Sequence, residues 1–190
     1  MAKTVLNLAI VIDLVDDVLL ESTAIIKTLN SKYGIDFIYN TQKTPHIVLS
    51  VGQVESSKLE YFVSTLESLL EKLSAFEIET NGLGLFLSEK INLHIRWHQN
   101  QELGDFKKRI ENELKSIWEE DFNYNSEFRW IPKSTLAYND LNYANLSTIN
   151  FNELKIHTKC MSVREISIVK FEEHKAEEEL RRFTIGKGKK

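Results

Sequence analysis

Two short segments of the chain place chemically useful side chains two residues apart, each directly behind a proline. The first is Pro-His-Ile-Val-Leu at 45–49, and the second is Pro-Lys-Ser-Thr-Leu at 132–136. Alternate residues of a β-strand point to the same face, so the second segment presents an ammonium group and a hydroxyl group together, from Lys133 and Thr135. The first segment presents the imidazole of His46, which titrates near neutral pH and therefore suits proton transfer. An ammonium group is a poor base at that pH but binds phosphate well.

The two prolines have a simple explanation that requires no relation between the segments. Proline is tolerated as the first residue of a strand, where its missing N–H costs no ladder hydrogen bond. The surroundings of the two segments match as well, because each follows a helical pattern and opens a strand. We therefore interpret the segments as equivalent strands of two related lobes that face one another.

Strand and helix patterns alternate along the chain. Apolar residues recur at helical spacing over 18–29, 59–73 and 103–117, and Gly34 follows the first helix where a C-terminal cap is expected. Ser57 and Glu60 form a capping-box pattern at the start of the second helix. Strands are predicted over 4–13, 45–51, 83–87, 91–97, 132–138, 154–161 and 163–171, with 83–87 and 91–97 joined as a hairpin.

The composition is that of an ordinary globular protein and excludes several classes of function. The chain has 24 Lys and Arg against 28 Asp and Glu, and this net charge of −4 argues against a protein that coats duplex DNA through many phosphate contacts. The single cysteine, Cys160, rules out an intramolecular disulfide. Asn7 and Asp13 interrupt the apolar start of the chain, and no run approaches the ~20 apolar residues of a membrane span, so the cytoplasm is the expected compartment.

The two proline-led strands resemble the paired His-X-Thr/Ser motifs of the 2H (two-histidine) phosphoesterase superfamily, in its 2′-5′ RNA ligase-like, cyclic phosphodiesterase branch. The likeness includes the helix before each motif and the Gly-Leu-Gly-Leu-Phe segment at 82–86, ahead of the central hairpin. It implies an α+β fold of two pseudo-symmetric lobes, with antiparallel-rich sheets around a central cleft. Residues 1–186 would form this single bilobal domain, followed by a basic tail at 187–190.

The resemblance implies a role for each motif position. In the family, one histidine activates the attacking water or hydroxyl, the other protonates the departing ribose oxygen, and two hydroxyl side chains bind the nonbridging phosphate oxygens. His46 falls on the first histidine and Thr135 on the second hydroxyl, which makes them the catalytic candidates. Lys133 stands at the second histidine position and Val48 at the first hydroxyl position, so each motif has lost one functional side chain. Lys133 is expected to bind substrate phosphate, and Ser50, roughly 7 Å along the same strand face, is a second substrate-binding candidate.

Two functions follow, and the residues leave both open. The first is a divergent 2H phosphoesterase that binds and hydrolyses a cyclic phosphate or 2′-5′ phosphodiester of RNA or a nucleotide. The second is a nucleotide- or RNA-end-binding or interaction protein that keeps the cleft without turnover. His46 could instead be a core histidine, and Lys133 a solvated lysine of an edge strand.

Metal and cofactor chemistry have little support in the sequence. His94 and His98 have the spacing of a metal pair on a helix, but the local pattern is that of a strand, which favours a polar strand face shared with Arg96. We therefore expect no metal and no cofactor. The expected partner is a nucleotide or RNA end with a phosphate group, with no membrane, and the residues do not predict an oligomeric state.

Overall fold

Two antiparallel sheets, with helices packed against the core between them, organise the chain in a computed structural model. The structure describes residues 4–42, 44–121, 130–172 and 175–186, so the basic tail expected at 187–190 lies outside the described residues. The strands are β1 Val5–Asp13, β2 His46–Glu55, β3 Phe76–Phe86, β4 Asn92–Trp97, β5 Glu120–Asp121, β6 Lys133–Ala137, β7 Cys160–Val163, β8 Glu165–Lys170 and β9 Glu178–Thr184. The helices are α1 Asp16–Tyr33, α2 Phe37–Thr41, α3 Leu59–Leu70, α4 Gln101–Leu114 and α5 Tyr143–Leu146, with short 3₁₀ turns at Ser56–Lys58 and Phe151–Glu153.

The two proline-led strands belong to different sheets. One sheet has five strands in the order β5-β2-β1-β8-β9, and the other has four in the order β6-β4-β3-β7. Neighbouring strands are antiparallel throughout both sheets. β2 begins at His46 and β6 at Lys133, each directly after its proline. The predicted α+β fold of two lobes with antiparallel sheets is confirmed, and each lobe supplies one motif strand.

The larger of two apolar clusters among the described residues lies between the sheets and the helices. Alternate residues of β1 and of the motif strands are fully buried in it: Leu8, Ile10, Ile12, Ile47 and Leu136. The helices contribute apolar residues three and four apart: Phe62, Leu66 and Leu70 from α3, and Leu103, Phe106, Ile110 and Leu114 from α4. Because Ile47 and Leu136 point to the core, the intervening motif residues point to the opposite faces of their sheets.

The helices form near the predicted positions, with one correction at a cap. Gly34 ends α1 in the left-handed conformation, with φ 66°, and its N–H donates to the carbonyl of Asn30. The capping box predicted at Ser57 and Glu60 does not form, because a 3₁₀ turn precedes α3 and the Ser57 hydroxyl donates to the Glu55 carboxylate at 2.9 Å instead. None of the described helices combines the length and the apolar character that a membrane crossing requires.

The strands predicted up to 132–138 correspond to β1, β2, β3, β4 and β6, although β3 begins seven residues earlier, at Phe76, and the two-residue β5 is not predicted. Two errors follow nearer the C-terminus. The strand predicted over 154–161 is reduced to β7, because the backbone before it is bound to α1: the N–H groups of His157 and Thr158 each lie 3.1 Å from the Glu21 carboxylate. β9 is absent from the sequence-based prediction. Its residues are mostly charged and Phe183 is its single buried side chain, a composition common on exposed edge strands.

Candidate functional site

The face of the four-stranded sheet that points away from the core is polar where β4 pairs with β6. Cross-strand partners share a face, and here Thr135 lies opposite His94 and Lys133 lies opposite Arg96. Like charges directly opposite each other destabilise a sheet. Within the described part of the chain, neither cation has a carboxylate at ion-pair distance. This face therefore carries positive charge that the described residues do not compensate.

Two donors from the same sheet hold the hydroxyl group of Thr135. Lys133 Nζ donates to Thr135 Oγ1 at 3.1 Å, and Asn92 Nδ2 makes a longer contact with it at 3.5 Å. A hydroxyl group has two acceptor positions and one proton. Because both neighbours approach the oxygen as donors, the proton of Thr135 remains available for donation to a ligand.

His94 is buried at the centre of this face, with 1% of its surface exposed. Its Nδ1 lies 3.0 Å from Oδ1 and 3.2 Å from the backbone oxygen of Asn92, and since both are acceptors, Nδ1 carries the proton. The Phe86 ring packs on the imidazole, with ring centroids 4.3 Å apart. Burial, together with the charges of Lys133 and Arg96, lowers the pKa of His94 to about 4, so the ring is neutral at pH 7.

His46 opens β2 and is buried, with 8% of its surface exposed. Its Nδ1–H donates to the backbone oxygen of Thr44 at 2.8 Å, which leaves the lone pair on Nε2. Gln42 Nε2 donates to the same carbonyl at 3.1 Å, and a carboxylate oxygen of Glu177 lies 3.9 Å from Nδ1. Burial lowers the pKa of His46 to about 4, with a smaller contribution from Lys133, and burial raises the pKa of Glu177 to about 7. The imidazole is therefore neutral at pH 7, as a proton acceptor must be.

The two motif strands meet although they belong to different sheets. Trp130, just before β6, donates its indole N–H to the backbone oxygen of Val48 in β2 at 2.8 Å. Lys133 is close enough to His46 for its charge to lower the imidazole pKa, and it donates to Thr135. Burial also lowers the pKa of Lys133 itself. The structure thus places His46 within electrostatic range of Lys133, whose ammonium is bonded to Thr135.

Ser50 does not share the cleft face of His46, which corrects the expectation from simple strand alternation. The register of β1 against β2 shifts between Ile10 and Val11, so that Val48 pairs with Val11 whereas Ser50 pairs with Ile10. Paired residues share a face, and Ile10 belongs to the core. The Ser50 hydroxyl is fully buried and has no hydrogen-bond partner among the described residues. A bulge with one extra residue in β2 reverses the face of every side chain beyond it.

The motif residues make up only part of this polar face, and the other part comes from β4. Asn92, His94 and Arg96 alternate along β4, and the sequence indicates a polar strand face for the last two without connecting it to the motif of β6. The available signal is the alternation itself, in the strand that follows the Gly-Leu-Gly-Leu-Phe segment. His98 lies beyond the end of β4 and is exposed, and no cluster of three or more metal-ligating side chains occurs in the described ranges.

The fold matches known structures, whereas the sequence by itself finds no relatives. No protein-family model matches the chain, and a comparison with curated proteins gives no match either. The crystal structure of E. coli LigT complexed with 3′-AMP superposes with a TM-score of 0.63 at 15% identity, covering 96% of this chain and 99% of that one. The protein TT0787 of Thermus thermophilus gives 0.69 at 11% identity, covering 95% and 98%. A structure described as a phosphoesterase gives 0.61 at 15% identity, covering 96% and 99%. The chain therefore has the LigT-like fold of the 2H phosphoesterases, the superfamily that its two proline-led strands resemble.

Proposed function

We propose that the cleft binds the phosphate group of a nucleotide or an RNA end, and that it hydrolyses a 2′,3′-cyclic phosphate or 2′-5′ phosphodiester far more slowly than an intact pair of motifs would. The observation that supports this most directly is the Lys133 ammonium, which is partly buried, lies opposite Arg96 and lacks a carboxylate partner in the described chain. A buried charge without a partner is costly, and a bound phosphate would remove that cost. LigT, whose fold is similar, has been crystallised with 3′-AMP and with phosphate.

Hydrolysis of a cyclic phosphate needs a base, a hydrogen-bond donor and an acid around one phosphorus atom. Nε2 of His46 would accept a proton from water as the water oxygen attacks phosphorus, because Nδ1 is already bonded to Thr44. The Thr135 hydroxyl would donate to a nonbridging oxygen, and the Lys133 ammonium would balance its charge. The bond from phosphorus to one ribose oxygen breaks, and that oxygen must then take up a proton.

The acid that delivers this last proton is the weak part of the site. Lys133 occupies the position of the second histidine, and a lysine with an unperturbed pKa near 10.4 holds its proton tightly. Burial lowers the pKa of Lys133 and so moves it in the useful direction. Loss of one general acid–base group typically costs about 10²–10⁴ in rate. Val48 supplies no hydrogen bond either, and these two replacements favour the second candidate function, a protein that binds the phosphate ligand without turnover.

Hydrolysis of 2′,3′-cyclic AMP and of 2′-5′ oligoadenylate by the full-length protein, with binding measured in parallel, tests the proposal. We expect slow turnover that disappears in His46→Ala and persists in His157→Ala, which removes an exposed histidine. Binding without turnover, weakened by Lys133→Ala but not by the exposed-site control Lys155→Ala, would support the second candidate. Failure to bind any phosphate ligand would refute both.

A further inference from the structure

We infer that the cleft selects a phosphate monoester with two negative charges, such as the terminal phosphate of a nucleotide or RNA end, over a singly charged cyclic phosphate or internal phosphodiester. This inference rests on the proposed function and adds the charge class of the ligand. It follows from the arrangement of Lys133 and Arg96 across the β4–β6 pair.

The charges of Lys133 and Arg96 both act on the surroundings of His94. The two residues are direct cross-strand partners, and the charges of both reach the imidazole of His94, on the next row of the same sheet face. Lys133 spends one of its three N–H donors on Thr135, and neither cation is ion-paired within the described residues. Lys133 leans along β6 toward Thr135 and Arg96 leans over β3, so the two cations lie on opposite sides of His94 and can each bind oxygens of one phosphate placed over it.

The remaining titratable groups leave this charge largely intact. Both imidazoles that face the cleft, His46 and His94, are neutral at pH 7 and contribute no further positive charge. The described carboxyl group that lies against His46 is that of Glu177, and its pKa of about 7 leaves it partly protonated at neutral pH. A singly charged diester would therefore leave one cation without a counter-charge, whereas a dianion would balance both.

Gly84 shows that the Arg96 side chain is seated against the sheet rather than free in solvent. A Cβ atom added at Gly84 would lie 2.5 Å from Cδ and 2.6 Å from Cγ of Arg96, so the arginine stem crosses the bare backbone of β3. The stem therefore leans over β3, on the side of β4 away from Lys133, and its carbon atoms pack on the sheet although the residue as a whole is exposed. This packing lowers the entropy that Arg96 loses when it binds an anion.

Calorimetric titration of the full-length protein at pH 7, where most of a phosphate monoester carries two charges and Glu177 is partly protonated, tests the inference. The ligands are 3′-AMP, its 3′-methyl ester, 2′,3′-cyclic AMP and inorganic phosphate. We expect 3′-AMP to bind at least tenfold more tightly than either diester, about 1.4 kcal/mol. Inorganic phosphate separates recognition of the phosphate alone from recognition that also requires the nucleoside.

Four variants identify the source of the preference. Arg96→Gln should reduce it severalfold, Arg96→Lys should retain most of it, and Arg181→Gln, at an exposed arginine whose neighbour is Glu67, should not change it. Equal or tighter binding of the diesters, or a preference that survives in Arg96→Gln and Lys133→Met, would overturn the inference and leave the proposed function standing. Absence of binding by all four ligands would instead refute the proposed function itself.

Discussion

Gly84 of β3 lies directly beneath two side chains of the cleft, and alanine at this position would place a methyl group where they now pack. The added Cβ would be 2.5 Å from Arg96 Cδ, 2.6 Å from Arg96 Cγ and 2.7 Å from His94 Nε2. Non-bonded carbon atoms prefer separations of about 3.5–4.0 Å, so the neighbours must withdraw by roughly 1 Å. Since Phe86 packs on the His94 ring, we expect most of the movement in the Arg96 stem.

The energetic consequence of Gly84→Ala is expected in both stability and binding. Overpacking of this kind typically costs about 1–3 kcal/mol, which for a chain of this size lowers Tm by roughly 3–9 °C. Displacement of the Arg96 guanidinium should also remove a charge-assisted hydrogen bond to phosphate, worth at least about 1.5 kcal/mol, or roughly tenfold in affinity. Thermal unfolding followed by circular dichroism, and titration with 3′-AMP, measure the two effects separately.

A matched glycine substitution separates packing from backbone effects. Gly104 lies inside α4, and a Cβ added there meets no atom within 4 Å, so Gly104→Ala should stabilise the protein by about 0.5–1 kcal/mol and leave ligand affinity unchanged. If Gly84→Ala leaves both Tm and 3′-AMP affinity at wild-type values, then the Arg96 stem does not cross β3 as described and the reasoning about this face is wrong.

Three further predictions concern other parts of the site. Ser50→Ala should raise the unfolding free energy by about 1 kcal/mol without changing 3′-AMP affinity, because its hydroxyl is buried, unpartnered among the described residues and directed to the core; a large loss of affinity would contradict the β2 register. Asn92→Ala should weaken 3′-AMP binding severalfold in a direct titration, because Thr135 Oγ1 loses one of its two donors, whereas an exposed substitution such as Asn152→Ala should have no effect. Folding lowers the pKa of His46 from 6.5 to about 4. Between these two pH values the unfolded chain binds a proton at His46 that the folded chain does not bind. The free energy of unfolding should therefore fall as the pH decreases from 6.5 to 4, by roughly 3 kcal/mol for this group. The raised pKa of Glu177 has the opposite effect on the free energy of unfolding between pH 4.5 and pH 7. The contribution of His46 is therefore isolated by comparing urea unfolding of wild type and His46→Gln at pH 4.5 and pH 7. An equal loss of stability in the two proteins would be inconsistent with the prediction for His46.

Local patterns predict the elements of this fold well wherever a single period of apolar residues persists. The helical spacing over 18–29 and 103–117 predicts α1 and α4, and the proline before each motif strand marks its first residue within one position. The motif itself can be read from the chain because alternate residues of one strand must share a face. For the same reason, the two replacements at Val48 and Lys133 are visible without any structure.

Relations between strands lie beyond such patterns. The clearest case is the shared face of β4 and β6, where Arg96 lies opposite Lys133 only because the two strands pair in one particular register. Ser50 is the opposite case, since a single extra residue in β2 turns it from the cleft to the core. Side-chain alternation depends on a single strand and can therefore be predicted from its sequence. Strand register, bulges and the approach of β2 to β6 depend on the packing of the whole core. It is these features that determine which charged side chains lie near one another.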